Sequence, residues 1–197
     1  MIQNTLGLQK PIDHTLEHIY FQVYKAGLEH ALLDIRNHAS VRTFMADPNE
    51  ISLEDHLRWV ESNLDPDCHH HGQTQLAFIM VRGHPRGFVL VRDINENSGE
   101  VGIMIRESDE VLGLGAVVAV LALEKLCFNY LGLKAVSAKA SPHNSKVLRI
   151  LRGLGGEEVE MSDEKSLWFT YRVTDCRSNK VYQYILKRYG HQGELVF

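Results

Sequence analysis

"DEVLGLGAVVAV", residues 109–120, places two glycines one residue apart ahead of an almost uninterrupted apolar run. The stretch has two physical readings. A Gly-x-Gly loop feeding a helix leaves backbone amides pointing outward at the positive end of a dipole, a setting that favours phosphate. The same glycines can equally make a turn ahead of a core helix. Asp109 and Glu110 stand immediately before it; they complement a free helix N-terminus but oppose a bound phosphate. The Rossmann and P-loop versions fail, with no third glycine at Rossmann spacing and no Gly-Lys-Ser/Thr ending. The surrounding elements must decide.

A chain of 197 residues, 44% hydrophobic and 23% charged, has the composition of an ordinary globular protein with room for a full core. A net charge of −4 supplies no global positive field, which argues against nucleic acid and anionic membrane as partners. The longest uncharged run, Val111 to Leu123, is too short to cross a bilayer. Three widely spaced cysteines, Cys68, Cys127 and Cys176, favour a reducing compartment over a disulfide framework. The opening "MIQNTLGLQKPIDH" has no basic-then-apolar start. The expectation is a cytoplasmic protein. The His-His-His at 69–71 reads as a polar loop and not as a metal site, because adjacent ligands do not easily share one tetrahedral ion.

The pattern outward from the glycines alternates in period. "IYFQVY" (19–24) is β-rich, "GLEHALLDIRNHASVRTFM" (27–45) predicts a helix and a short turn, and "ISLEDHLRWVESNL" (51–64) a helix capped by Ser52. "QLAFIMV" (75–81), "GFVLVRDI" (87–94) and "EVGIMI" (100–105) predict three consecutive antiparallel strands. A helix over 111–131, a strand over 134–140, a helix over 144–155 and two closing strands follow. Val181, Ile185 and Tyr189 give the tail helical spacing. The fold class is α/β: a mixed, mostly antiparallel sheet with helices on both faces, in one domain over 1–174 with an extension over 175–197.

This order resembles the GNAT superfamily of acyl-CoA-dependent N-acetyltransferases. The run Glu110-Val111-Leu112-Gly113-Leu114-Gly115 is similar to the family's Gln/Arg-x-x-Gly-x-Gly/Ala loop, and Asn144 through Gly155 to its later Asn-x7-Gly-Leu-Gly segment. The resemblance implies acetyl-CoA as cosubstrate. Its pyrophosphate would lie on the backbone of Val111, Leu112, Gly113, Leu114, Gly115 and Ala116, with Asn144 also in contact. An oxyanion-binding amide is implied near Met104 or Ile105, where two parallel strands splay. Glu110 departs from the family's first position, Leu151 stands where many relatives carry a thiolate-protonating tyrosine, and Gly156 replaces an aromatic.

The front of the chain resembles the pseudaminic-acid pathway acetyltransferases, through Arg36-Asn37-His38, Val41-Arg42, Met45 and His56-Leu57-Arg58-Trp59. That implies a UDP-linked 4-amino sugar as acceptor, with Arg36, Asn37, His38, Arg42, His56 and Trp59 as candidate binding residues. Acetylation of a protein N-terminus or another small amine is the alternative, and a silent acyl-CoA-binding module is the reading from a different class. Strand alternation turns Glu100 toward the open face, unless a bulge disturbs it, where it could accept the amine's proton. Tyr130 and Ser141 are the remaining candidates for the general acid. No metal is expected, and a homodimer is left open.

Overall fold

The computed structural model describes residues 19–45, 47–64, 74–106, 113–159 and 167–197. Eight strands form one mixed sheet: β1 (Ile19–Val23), β2 (Gln75–Val81), β3 (His84–Arg92), β4 (Ser98–Ile105), β5 (Ala135–Ala140), β6 (Glu157–Val159), β7 (Leu167–Arg172) and β8 (Glu194–Val196). Their spatial order is β6-β7-β5-β4-β3-β2-β1-β8. The β1–β4 meander and the β5–β7–β6 group are antiparallel, and two parallel joints, β4–β5 and β1–β8, complete the sheet.

Helices cover both faces because the strands alternate. Phe78, Leu76, Phe88 and Met104 face helices α1 (Glu29–Asn37), α2 (Ala39–Arg42) and α3 (Leu53–Asn63). Val89, Val91, Val101, Val136 and Phe169 face the other layer. There, α4 (Gly115–Leu121) runs without interruption into a π-helical segment, Ala122–Tyr130, and packs with α5 (Ser145–Gly153), α6 (Val173–Ser178) and α7 (Lys180–Tyr189). The apolar run after the glycines is fully buried from Ala116 to Leu123, so the core requires it whatever the loop before it binds.

The sequence predicts one α-helix over 111–131; the structure starts α4 at Gly115 and changes helix type at Ala122. The π geometry is visible at its end, where Leu131 N donates to Leu126 O at 2.9 Å. Ser52 caps α3 as the sequence indicates, and the cap of α5 is Asn144. Ser52 Oγ accepts from Asp55 N at 3.1 Å and donates to Asp55 Oδ2 at 2.7 Å, and Asn144 Oδ1 accepts from Val147 N at 3.1 Å. In the tail, Tyr182, Ile185 and Tyr189 are buried in the main core, and β8 lies beside β1.

Candidate active site

The β4–β5 joint is a fork. The two strands pair in parallel only over Ser98–Glu100 against Ala135–Ser137, although β4 continues to Ile105 and β5 to Ala140. The far side of β4 stays paired with β3 in unbroken register from Glu100 to Ile105, so the alternation is undisturbed. The sheet's register shift falls instead between Ile79 and Met80. Beyond Glu100, β4 therefore has one edge held by β3 and the other released by β5, exposing strand amides to whatever enters the fork. Met104 and Ile105 lie on this released stretch.

Past the fork the chain continues into the remaining candidate residues. β4 leads to the glycines, which open α4 after Gly113 (φ +81°), a left-handed conformation that a residue with a Cβ adopts at a cost. Leu114 supplies the N-cap of α4 with no side-chain hydrogen bond, and the first intrahelical bond runs from Val118 N to Leu114 O at 2.9 Å. The amides of Gly115, Ala116 and Val117 thus have no helical acceptor, the condition a pyrophosphate would satisfy. Leu114 and Ala116 themselves bury their side chains in the core and offer only backbone. β5 leads to Ser141 and to Asn144, whose Oδ1 is taken by its own helix; its Nδ2 has no partner among the described residues. Ser141 Oγ accepts from His143 N at 3.3 Å, which leaves its hydroxyl proton to point elsewhere. Val111 and Leu112, like Glu110, Cys68 and His69–His71, lie outside the described residues.

Tyr130 is not brought to the fork. It ends the π segment, its ring packs on Phe197 with centroids 5.3 Å apart, and it lies roughly 20 Å along the helix from the glycines.

Glu100 does face the open side, but it is not a free carboxylate. It pairs with Arg92 directly across the strand, and Lys139 Nζ lies 3.5 Å from the same Oε1. Its side chain is 13% exposed, against 42% for Arg92 and 41% for Lys139. Lys139 also sits over the Trp168 ring, 5.0 Å from its centroid. Glu100 is four residues from Met104, roughly 13 Å along the strand. The sequence reading did not single out Arg92, Lys139 or Trp168. Their signal was strand alternation, which sets Arg92, Glu100, Lys139 and Trp168 on one face once the register is known.

The front residues largely serve the backbone. Asn37 clamps Ile51, donating to its carbonyl and accepting from its N–H, both at 2.9 Å. Arg42 donates to Asn37 O at 2.8 Å and Pro48 O at 3.0 Å and pairs with Glu50 at 3.1 Å. His38 Nδ1 caps α2, accepting from Ser40 N at 3.3 Å. His56 is buried and donates from Nε2 to Glu29 O at 2.9 Å; burial holds its pKa below the ordinary imidazole value, so the ring is neutral. Trp59, partly exposed, stacks near that ring with centroids 6.5 Å apart. Arg36 donates to Asp47 O at 3.3 Å, while its Nη1 is buried without a partner among the described residues. Together these bonds tie α1, the 47–51 loop and α3 into a platform beside the open face.

The chain thus carries a forked parallel strand pair, an uncapped helix start and a polar face beside the fork. Residues 25–157 match the acetyltransferase (GNAT) domain, and the chain belongs to that family. It is an acyl-CoA N-acetyltransferase, taking acetyl-CoA and an amine acceptor. Comparison with curated proteins gives no significant match. Among solved structures, the chain is similar to FdhC, a nucleotide-linked sugar GNAT (17% identity, 84% of this chain and 92% of that one, TM-score 0.66). It is also similar to the Campylobacter jejuni N-acetyltransferase PseH with acetyl coenzyme A (14%, 79% and 99%, 0.56). A third likeness is the Vibrio cholerae spermidine N-acetyltransferase with CoA and spermine (13%, 80% and 97%, 0.64). Identities this low carry the fold alone. Among the described residues, no helix is long and apolar enough to cross a membrane.

Proposed function

We propose that the chain acetylates the amino group of a nucleotide-linked amino sugar, with acetyl-CoA entering the β4–β5 fork and the acceptor approaching across the face that carries Glu100. The carrying observation is the released edge of β4, taken with the uncapped start of α4. In this reading the amides of Gly115, Ala116 and Val117, with Gly113 shaping the approach, hold the pyrophosphate, and Asn144 Nδ2 adds a donor. The Ile105 amide, which alternation turns to the β5 side of β4, donates to the negative charge that develops on the thioester oxygen.

The transfer balances simply. The neutral amine's lone pair forms the N–C bond, the C–S bond breaks, and the proton nitrogen gives up to water is matched by one the thiolate takes from water, leaving the amide and free CoA thiol. Ser141, at the open end of β5 with its hydroxyl proton unspent, donates a hydrogen bond to the departing sulfur. Glu100 holds two cations in place and reaches the reaction only through them, because its oxygen is engaged and the amides lie roughly 13 Å away.

The sugar acceptor is supported by the front-segment resemblance and by the stated substrate class of FdhC, a structure with the same fold. Thiol release from acetyl-CoA, measured with a UDP-linked 4-amino sugar, an N-terminal peptide and spermidine, tests it. Preference for the sugar by tenfold or more in kcat/KM is expected. Preference for the peptide or the polyamine overturns the sugar reading, and CoA binding without turnover on any amine supports the silent module.

A further inference from the structure

The face beside the fork holds an unbalanced set of charges. Arg92 and Lys139 share one carboxylate oxygen, so two cations meet a single anion, and both cations keep about two-fifths of their side chains exposed. Among the described residues, the guanidinium of Arg92 makes one hydrogen bond, from Nη2 to Glu100, which leaves most of its donor fork unused. Trp168, beneath Lys139 on the same face, has its indole Nε1 buried without a partner among the described residues. A buried N–H left unpaired is costly, and native structures seldom keep one without a use.

We propose that Arg92, Lys139 and Trp168 form an anion subsite on the acceptor face, fixed in place by Glu100, and that the acceptor carries a carboxylate or phosphate group in addition to its amine. This rests on the acetyl-transfer reading of the fork and adds to it the charge class of the acceptor. Lys139 stands on the part of β5 that has left β4, and Glu100 on the last paired rung. The cations therefore line the inner end of the fork on the side from which an amine must arrive. Three donors and a local charge of +1 are complementary to an anion and repel a polycation. Glu100 does the positioning. Without it, two long cationic side chains a few ångströms apart would repel and spread into solvent.

The test pairs matched acceptors: an amino sugar with and without its UDP group, and an α-amino acid with its amide, beside spermidine. At saturating acetyl-CoA, the wild-type chain is expected to favour the anionic member of at least one pair by about tenfold or more in kcat/KM. R92Q and K139Q are each expected to raise KM for that acceptor roughly 10- to 100-fold, the loss of one charge-assisted bond. The neutral partner should stay within about twofold. Equal losses for neutral and anionic acceptors would assign the two residues a structural role and overturn the subsite, as would a wild-type preference for spermidine.

A turnover-free arm uses the protein saturated with CoA, so that the pyrophosphate cradle is filled, and follows tryptophan fluorescence on addition of inorganic diphosphate or succinate. Saturable quenching that K139Q weakens supports the subsite, and no saturable response to either anion overturns it. Discrimination for the amino acid but not the UDP sugar would keep the subsite and refute the nucleotide-sugar reading. The two failures therefore have different signatures.

Discussion

Gly87 is the residue through which the fork can be perturbed without touching either substrate. It faces Ile105 across the β3–β4 ladder, and a Cβ there would lie 2.3 Å from the Met104 carbonyl oxygen and 3.0 Å from Ile105 Cα. Carbon and oxygen settle near 3.3 Å, so Gly87→Ala demands about 1 Å of extra separation between the strands. Both contacts are backbone, and no side chain can swing away to relieve them. β4 must yield, and it yields into the fork, because its opposite edge is unpaired beyond Glu100. The amides of Met104 and Ile105 would then shift by about 1 Å, and misplacement on that scale costs on the order of 100-fold in rate. Overpacking should lower stability by about 1–3 kcal/mol. The assay is kcat by thiol release at saturating substrates, with thermal melting alongside. Gly102→Ala, whose Cβ meets nothing nearer than the Leu90 carbonyl at 4.0 Å, is the stability control. A folded Gly87→Ala protein with kcat within about threefold of wild type would refute the placement of the acetyl group against this part of β4.

Other substitutions separate binding from support. Gly113→Val forces a β-branched residue into φ +81° and should weaken CoA by roughly tenfold or more in calorimetry; unchanged affinity would sink the cradle. Asn144→Asp keeps the acceptor that caps α5 but replaces the Nδ2 donor with charge, so melting should hold while KM for acetyl-CoA rises. Asn144→Ala should instead cost about 1 kcal/mol of stability. Glu100→Gln should raise acceptor KM and leave kcat within about threefold with its pH profile unmoved, whereas a hundredfold fall in kcat would make Glu100 the base. His56, neutral and buried, titrates lower in the folded chain than the ordinary value of about 6.5. The unfolded chain therefore takes its proton first, and stability falls as pH drops below about 6.5. His56→Gln should lower the starting stability and flatten that acid-side slope in melts between pH 7 and 5.

Elements with a local signature were legible in the sequence. "QLAFIMV" is a short apolar run followed by turn residues, and β2 runs over those seven positions. The Ser52 cap lies where a short polar side chain precedes a helical period. β8 was not legible: three residues, Glu194–Val196, become a strand only because β1, far away in sequence, offers an edge. The π segment was equally hidden, since apolar spacing in so hydrophobic a helix does not distinguish its turn from an α turn. The site shows the same division. The glycine loop could be named from sequence. The polar residues of the front could not be assigned from it, because Asn37 and Arg42 bonding a neighbouring loop look the same as residues awaiting a ligand. Arg92 and Lys139 fall near strand ends, where a solvated charge is the default; only the register shows that they share Glu100.

The outermost strands of the sheet bear on how the protein behaves at high concentration. A wide sheet presents rows of unsatisfied backbone groups along its rims, an open template for further strands from other molecules. Here both rims are three-residue strands, β6 and β8, and each carries glutamate: Glu157 and Glu158 on one side, Glu194 on the other. A strand that short gives an incoming chain few rungs to climb, and its carboxylates repel a like-charged copy. Lengthening either rim, or replacing its acids with valine, is the change most apt to make the enzyme polymerise through its own sheet.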